Sequence, residues 1–537
     1  MTTPTDPYRK WVRLLSLAVI AIAFIPYLYG YFQTPPGMVY MGFADHPYDQ
    51  NAYISYIQQA SEGKIFIRRD HTLEYQRPLF FMPFNLILGR IARSLRLTPL
   101  VTYHIARAVY AYLLLMTIYW LTSFFTSDGR RRFFAFALCA CSSGLCWVIP
   151  YHTWGALFKN YNLIPICYWV VETVLFEIIL SSPHSLTTLF LILSFGLFLR
   201  ALRGPFLSSS LLGGACVAVL ALLHPVDVVT VYIVLSAYFV VLLIGFRGDA
   251  ILCFRSGLLI FLLSLPVMLY QYYLFTTEPV FIEWSKEAFI SPNPFSYVIG
   301  YGLVLFLAIP EIVRIARRGT REDWFLLVWA VSTMLLLYAP LSFQRRLSLG
   351  LHVPLCVLAS GTVFRSILPW ARRFLDTRAK EAVFLVFILL LTVPSNLVKL
   401  AISCTEQRNS PLEFYLPRGD WEAMRWMRET HNEDAAVLSN YKSGLYIPAY
   451  TGNRSYVGHW SETVDFERKA EIANWILYAP DRDELKKSIL KGNGIDYIYF
   501  GTFERMRAPF AMKNAHFLET IYDRGGVQIY RFNPALP

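Results

Sequence analysis

The sequence is short of charge. Of its 537 residues only 16% are Asp, Glu, Lys or Arg, where a soluble globular domain carries about a quarter. Cysteine is scarce as well. Of eight cysteines, six lie in apolar runs (Cys139, Cys141, Cys146, Cys216, Cys253 and Cys356), and only Cys167 and Cys404 fall outside them. No disulfide framework and no CxxC metal pattern is therefore expected. There is no GxxxxGK[ST] loop, no Rossmann glycine fingerprint and no HExxH zinc motif. Internal repeats and low-complexity tracts are also missing.

What fills the chain instead is apolar sequence, 55% of it, in uninterrupted runs long enough to cross a bilayer at roughly twenty residues each. Spans are predicted near 12–33, 99–125, 133–150, 185–203, 206–223, 226–246, 251–275, 297–315, 324–342, 347–368 and 382–402. The first ends in bulky residues (Tyr27, Tyr29, Tyr31, Phe32) with no small-x-small cleavage site, so it reads as an uncleaved helix. The net charge of +12 does not point to nucleic acid, because the basic residues sit in short loops between the runs. Arg130–Arg132, Arg200 with Arg203, Arg247 with Arg255, the stretch Arg314 to Arg321, and Arg365 through Lys380 alternate as the positive-inside rule requires. That places the N-terminus in the cytoplasm. The expected fold is an α-helical integral membrane protein of about eleven transmembrane helices, in a bacterial inner membrane.

This orientation sends the polar segments 34–98, 151–184, 276–296 and everything after about 403 to the outer face. Residues 48–62 read as a helix with Tyr53, Ile54 and Ile57 on one side. The run 79–93 is too short and too basic to span and reads as interfacial. Residues 163–181, apolar but for Glu172 and Glu177, read as a helix at or dipping into the outer surface. In the tail, DWEAMRWMRE reads as an amphipathic helix, and AAVLSN, IDYIYFG and VQIYRF read as strands. The chain thus divides into a polytopic part, 1–402, and a small extracytoplasmic α/β domain, 403–537.

Ionisable groups at a membrane mark substrate paths, and here they concentrate on the outer side. Asp45 and Asp49 open the first outer loop. Glu172 and Glu177 follow in the second, with Pro183 and His184 at a helix mouth. His224 precedes Pro225 and Asp227 at another junction, and Gln344, Arg345 and Arg346 form a third. Arg107 lies eight residues into its span and needs a partner or a wet cavity. Ordinary readings compete with each: an N-cap for Asp45, helix starts for the Pro-His and His-Pro pairs, headgroup anchoring for the arginines. Together, however, the set fits transfer from a lipid-phosphate donor. A carboxylate can act as base on an acceptor hydroxyl, and paired arginines can hold the departing phosphate. In the tail, His459, Trp460 and Glu462 follow a strand in a loop suited to carbohydrate, although Trp460 can equally cover a core.

The segments FADHPYDQNAYISYIQQASEGK, RPLFFMPFNLILGRIA, YHIARAVY, ETVLFEIILSSPH, LLHPVD, SFQRRLSLGLHVPL and SYVGHWSETVDFERK resemble those of the GT-C superfamily of multi-pass glycosyltransferases. That superfamily includes protein O-mannosyltransferases and lipid A aminoarabinose transferases. The resemblance spans most of the chain on short, degenerate motifs. It implies transfer of a sugar from a polyprenyl-phosphate donor to a protein, lipid or glycan acceptor among membrane lipids, with no nucleic acid involved. The acidic pair departs from the family pattern, being Asp45-x3-Asp49 rather than adjacent. Asp49 is the expected base, since DQNAY runs directly into the helix, with Asp45 as its auxiliary and Glu177 as a second acid. Gln344, Arg345 and Arg346 are expected at the donor phosphate, and Glu172, His184, His224, Arg107, His459 and Trp460 at substrate. No metal ligand set is assigned; the chemistry requires no cofactor and is compatible with a divalent cation. A transporter or flippase of a lipid-linked or anionic substrate would use similar charges, but would show pseudo-symmetric halves and matching broken helices. Neither is evident.

Overall fold

The computed structural model describes residues 6–77, 79–181, 184–430, 434–480 and 482–534. Ser182 and Pro183, the latter part of the expected helix mouth, lie outside them. The chain forms two compact units: one of Met1–Pro26, Arg107–Tyr272 and Ala288–Ser403, the other of Tyr27–Ala106, Tyr273–Glu287 and Cys404–Pro537.

Among the described residues, eight helices are long and apolar enough to cross a membrane, or nine if Arg378–Leu390 and Pro394–Asn409, which meet at 46°, make one span. They present apolar side chains outward: in Arg247–Thr277 the exposed residues include Ile251, Phe254, Leu262 and Leu269. Such a surface is stable only with lipid as its solvent. The protein is an integral membrane protein. Two of the eleven expected spans are shorter than predicted. Gly129–Cys141 stops after 13 residues and gives way to a 3-10 turn at Cys146–Val148; Arg321–Leu336 has 16 residues. Cys146 consequently lies beyond the α-helix, at the start of the 3-10 turn, and it forms a disulfide with Cys167 that the cysteine distribution did not lead one to expect. The segment 163–181 is likewise not a single helix. It breaks into Ile166–Trp169 and Leu175–Ser181, because the Thr173 hydroxyl takes the carbonyls of Ile166 and Val170 at the intervening turn.

Within the first unit, the basic connections are tied to one another. Arg203 reaches Glu322 at 3.1 Å, Arg321 reaches Asp249 at 2.5 Å, and Glu381 receives both Arg130 (2.9 Å) and Arg372 (2.6 Å). The buried Glu311 gathers Arg131, Arg314 and Arg365. Ion pairs between clusters far apart in sequence require those clusters to lie at one end of the unit, which is the arrangement the alternation of basic loops demands.

The second unit holds a two-stranded ladder, β1 (Met38–Tyr40) against β2 (Tyr415–Pro417), and a five-stranded sheet. The sheet strands are β3 (Ala436–Leu438), β4 (Arg454–Ser455), β5 (Tyr497–Phe500), β6 (Leu518–Arg524) and β7 (Val527–Phe532), in the order β4-β3-β5-β7-β6. β3 is parallel to both β4 and β5, since helices cross over between them; β7 and β6 close the sheet antiparallel. Gly525 and Gly526, at φ 59° and 76°, turn the β6–β7 hairpin in a conformation that only glycine adopts easily. The segments read as strands fall on β3, β5 and β7, and the amphipathic reading falls on the helix Arg418–Thr430.

The same unit contains the helix Pro47–Ser61, which starts with proline at its first turn and is buried around most of its circumference, Gln50, Asn51, Ser55, Gln58 and Gln59 included. It packs on Pro83–Leu95 at Gly89, where a Cβ would stand 2.3 Å from the Ala60 Cβ and 2.6 Å from the Ile57 carbonyl oxygen. Gly89→Ala should therefore destabilise the detergent-solubilised protein by about 1–3 kcal/mol, whereas Gly155→Ala, whose Cβ meets nothing within 4 Å, should not; thermal unfolding of both variants checks this.

Candidate functional site

Asp49 stands in the first turn of Pro47–Ser61, where the helix dipole favours a carboxylate. Its side chain is 52% exposed, while its neighbours on the helix are largely buried. Asp45 is different: its carboxylate is 6% exposed and lies 2.8 Å from the Nδ1 of His46. His46 itself takes a left-handed conformation, φ 46°, to turn the chain into the helix. Of the two acids, Asp49 is the more exposed.

The tail meets this helix inside the same unit. His459 is buried, and its Nε2 lies 2.9 Å from the Asp49 Oδ1. Its Nδ1 faces Ser461, 3.2 Å from the backbone nitrogen and 3.0 Å from Oγ. Trp460 stacks beside the imidazole with centroids 5.9 Å apart and is 48% exposed, so it does not seal a core. The loop carrying these residues is fixed by Glu462, whose carboxylate takes the His71 Nδ1 at 3.0 Å and the Tyr56 hydroxyl. Thr463 donates to the His71 carbonyl oxygen at 2.6 Å, and the Thr72 hydroxyl receives the Val464 amide at 3.3 Å. Behind them Arg69, 3% exposed, lies over Phe281 (4.2 Å) and Trp284 (5.0 Å).

Neither Arg69, His71 nor Tyr56 was singled out from the sequence. An RRDH run in a polar loop reads as solvated charge, and only the tail's distant Glu462 reveals why it is buried. Burial pulls the His459 pKa down, but Asp49, with Glu462 and Glu287, carries it above the ordinary histidine value.

In the first unit, several of the expected residues do come together. His224 Nδ1 lies 2.8 Å from Asp227, and the rings of His184 and His224 meet edge to face at 5.7 Å. Glu172 is buried, which alone would raise its pKa, yet the charges of His184, Arg345 and Arg346 hold it below its ordinary value. Arg345 and Arg346 occupy the 3-10 turn Gln344–Ser348, with the Arg346 guanidinium 3.6 Å over the Phe289 ring. Gln344 shares that turn. Arg107 donates to the Leu180 carbonyl oxygen and, at 3.4 Å, to that of Ile179, at the end of Leu175–Ser181. Glu177 is buried with Lys399 at 2.9 Å and accepts from Ser181 at 2.9 Å. Lys399 also donates to the Tyr168 carbonyl oxygen at 2.8 Å. Among the described residues no group of three or more His, Cys, Asp or Glu side chains is arranged to hold a metal ion.

Among the second unit's buried acids, Glu462 and Asp70 titrate in opposite senses. Burial raises the Glu462 pKa, but His71, Arg69 and His459 outweigh it and bring it from 4.5 to about 2. Burial dominates at Asp70 and lifts it from 3.8 to about 6 against Arg68 and Lys64. A depressed carboxylate stabilises the fold above its unfolded pKa and loses that stability as pH falls; a raised one penalises the fold at high pH and is relieved as pH falls through 6. Above pH 4.5 the Glu462 contribution is complete while the Asp70 penalty still grows, so the two together lose stability from pH 4.5 to 6. Glu462→Gln should lose about 3 kcal/mol at pH 7, and Asp70→Asn should raise the unfolding midpoint more at pH 8 than at pH 4, as thermal melts across that range would register.

No protein-family model matches the chain, and no curated protein matches it in sequence. Solved structures do match it in fold. The oligosaccharyltransferase AglB of Archaeoglobus fulgidus, in complex with an inhibitory peptide and a dolichol-phosphate, superposes with a TM-score of 0.57 at 14% identity, over 92% of this chain and 70% of that one. ArnT of Cupriavidus metallidurans bound to undecaprenyl phosphate gives 0.55 at 11% identity, over 97% of this chain and 98% of that one. The mycobacterial arabinofuranosyltransferase AftD gives 0.56 at 14% identity, over 98% of this chain and 42% of its own. The likeness to ArnT runs the length of both chains, through the membrane helices and the tail alike. This chain shares the fold of these three membrane transferases.

Proposed function

We propose that the protein transfers a sugar from a polyprenyl-phosphate donor to an acceptor hydroxyl on the non-cytoplasmic face of a bacterial inner membrane. The observation that carries this reading is Asp49: a half-exposed carboxylate at a helix start, gripped by a tail histidine, in a fold shared with enzymes bound to dolichol and undecaprenyl phosphates. In a single displacement, the Asp49 carboxylate takes the acceptor proton as the acceptor oxygen bonds the anomeric carbon. The bond from that carbon to the phosphate oxygen breaks, and the phosphate departs with the electron pair. Arg345 and Arg346, with Gln344, are assigned to the donor phosphate, for which paired guanidinium forks are suited. His184, His224 and Glu172 line that assignment, and the exposed face of Trp460 is assigned to acceptor sugar or hydroxyl-bearing groups. A transporter reading is less well supported, because the fold matches are transferases.

The topology belongs to the same reading: eleven spans, N-terminus cytoplasmic, residues 403–537 an extracytoplasmic α/β domain. The Cys146–Cys167 disulfide supports it, since such bonds persist in the oxidising space outside the cytoplasmic membrane. Reporters fused near Arg131, Gly204, Gly319 and Asp376 should be active only as cytoplasmic markers, and those near Ser291 and after Arg408 only as periplasmic ones. A cytoplasmic reporter active at the C-terminus would refute this orientation.

The enzymatic test is sugar release by purified protein from a panel of undecaprenyl-phosphate-linked sugars, with and without acceptor. Asp49→Asn, which preserves shape and abolishes basicity, should lower turnover by about 10²–10⁴-fold with donor affinity retained. Arg345→Lys and Arg346→Lys should instead weaken donor binding, because the charge stays and the fork is lost. Normal turnover in Asp49→Asn would sink the mechanism.

A further inference from the structure

The contact between His459 and Asp49 has a defined direction. A backbone N–H can only donate, so the Ser461 amide, 3.2 Å from Nδ1, requires that nitrogen to carry a lone pair. The ring proton of the neutral imidazole then sits on Nε2, 2.9 Å from the Asp49 Oδ1. The Ser461 hydroxyl, 3.0 Å from Nδ1, can donate or accept, so the amide alone sets the direction. The ring has little freedom to turn over. It is buried, stacks against Trp460, and meets the His71 ring edge to face at 6.0 Å. The loop that carries it is bracketed by Thr463 on the His71 carbonyl oxygen and by Glu462 on the His71 and Tyr56 side chains. The groups that face His459 are Asp49, Glu462, Glu287, His71 and Ser461.

We propose that His459 is a positioning residue for Asp49: as the Nε2–H tautomer set by Ser461, it holds one carboxylate oxygen, fixing the rotamer and keeping the acid ionised. This rests on the reading of Asp49 as the base. It assigns the tail a part in the chemistry distinct from binding acceptor. A hydrogen bond to the charged form lowers a carboxylate's pKa, so His459 extends the pH range over which Asp49 is competent, and a donor on one oxygen directs the other. The glutamate–histidine–tyrosine frame behind it acts only by holding the loop in place.

Two measurements on the full-length chain in phospholipid nanodiscs test this. The first is nitrogen-15 magnetic resonance of labelled histidines, with His459→Gln identifying the signal. A neutral Nε2–H ring at pH 8 that shifts in Asp49→Asn is expected. An Nδ1–H ring, or one indifferent to Asp49→Asn, overturns the proposal whether or not any sugar is transferred. The second is sugar release from the undecaprenyl-phosphate panel. His459→Ala and His459→Asn should lose about 10- to 100-fold in kcat, the scale of one hydrogen bond to a charged group, with donor KM unchanged and the acid limb of the pH profile moved upward. His459→Gln, whose amide nitrogen reaches the Nε2 position, should restore the rate and the limb. Equal losses in all three variants, or an unmoved limb in His459→Ala, overturn the positioning role. Normal turnover in Asp49→Asn fails the underlying mechanism instead, so the two failures are told apart.

Discussion

The second unit is organised around one buried carboxylate. Glu462 accepts from His71 and Tyr56 and lies in the field of Arg69, so a charge that would be costly to bury alone becomes the point to which three segments are fastened. With Glu462 in place, Thr463 and Val464 close on residues 71 and 72, and His459 is delivered to Asp49. The polar residues that make Pro47–Ser61 look unsuited to burial are buried by this arrangement. Gln59, for example, exchanges two hydrogen bonds with the backbone of Arg68 at 2.9 and 3.0 Å.

The first unit uses buried charge in two ways. Glu177 with Lys399, and Glu311 with Arg131 and Arg365, are ion pairs that join different helices. The group of Glu172, His184, His224, Asp227, Arg345 and Arg346 is different in kind. It sets two carboxylates against two arginines and adds two histidines.

How much of this was legible in the sequence follows from the range of the interactions. Helix periodicity and apolar runs are local, and they place the long spans, the helix after Asp45 and the strands of the tail. The acids and arginines at the outer face were also visible, because charge in apolar sequence is conspicuous. What could not be read was partnership. That Glu177 pairs with Lys399, and that Arg107 meets the carbonyls of Ile179 and Leu180, depends on segments far apart in sequence. Cys146 seemed to belong to a span because its neighbours are apolar, yet its helix ends at Cys141. His459 was noted for its company with Trp460, while its bond to Asp49 depends on a fold that no local pattern encodes.

That the second unit draws on three separate stretches of chain bears on how the protein is made. Tyr56 and Glu462, joined in its core, are 406 residues apart. Pro47–Ser61 leaves the ribosome long before the residues that cover its Gln and Asn side chains exist. Until synthesis ends, that helix must wait in a partly folded condition, wetted by solvent or shielded by a chaperone, and its assembly is the last event in biogenesis. A ribosome stalled near the end of the message would thus release a chain with its membrane helices inserted and its candidate catalytic helix unclothed, a natural substrate for surveillance proteases.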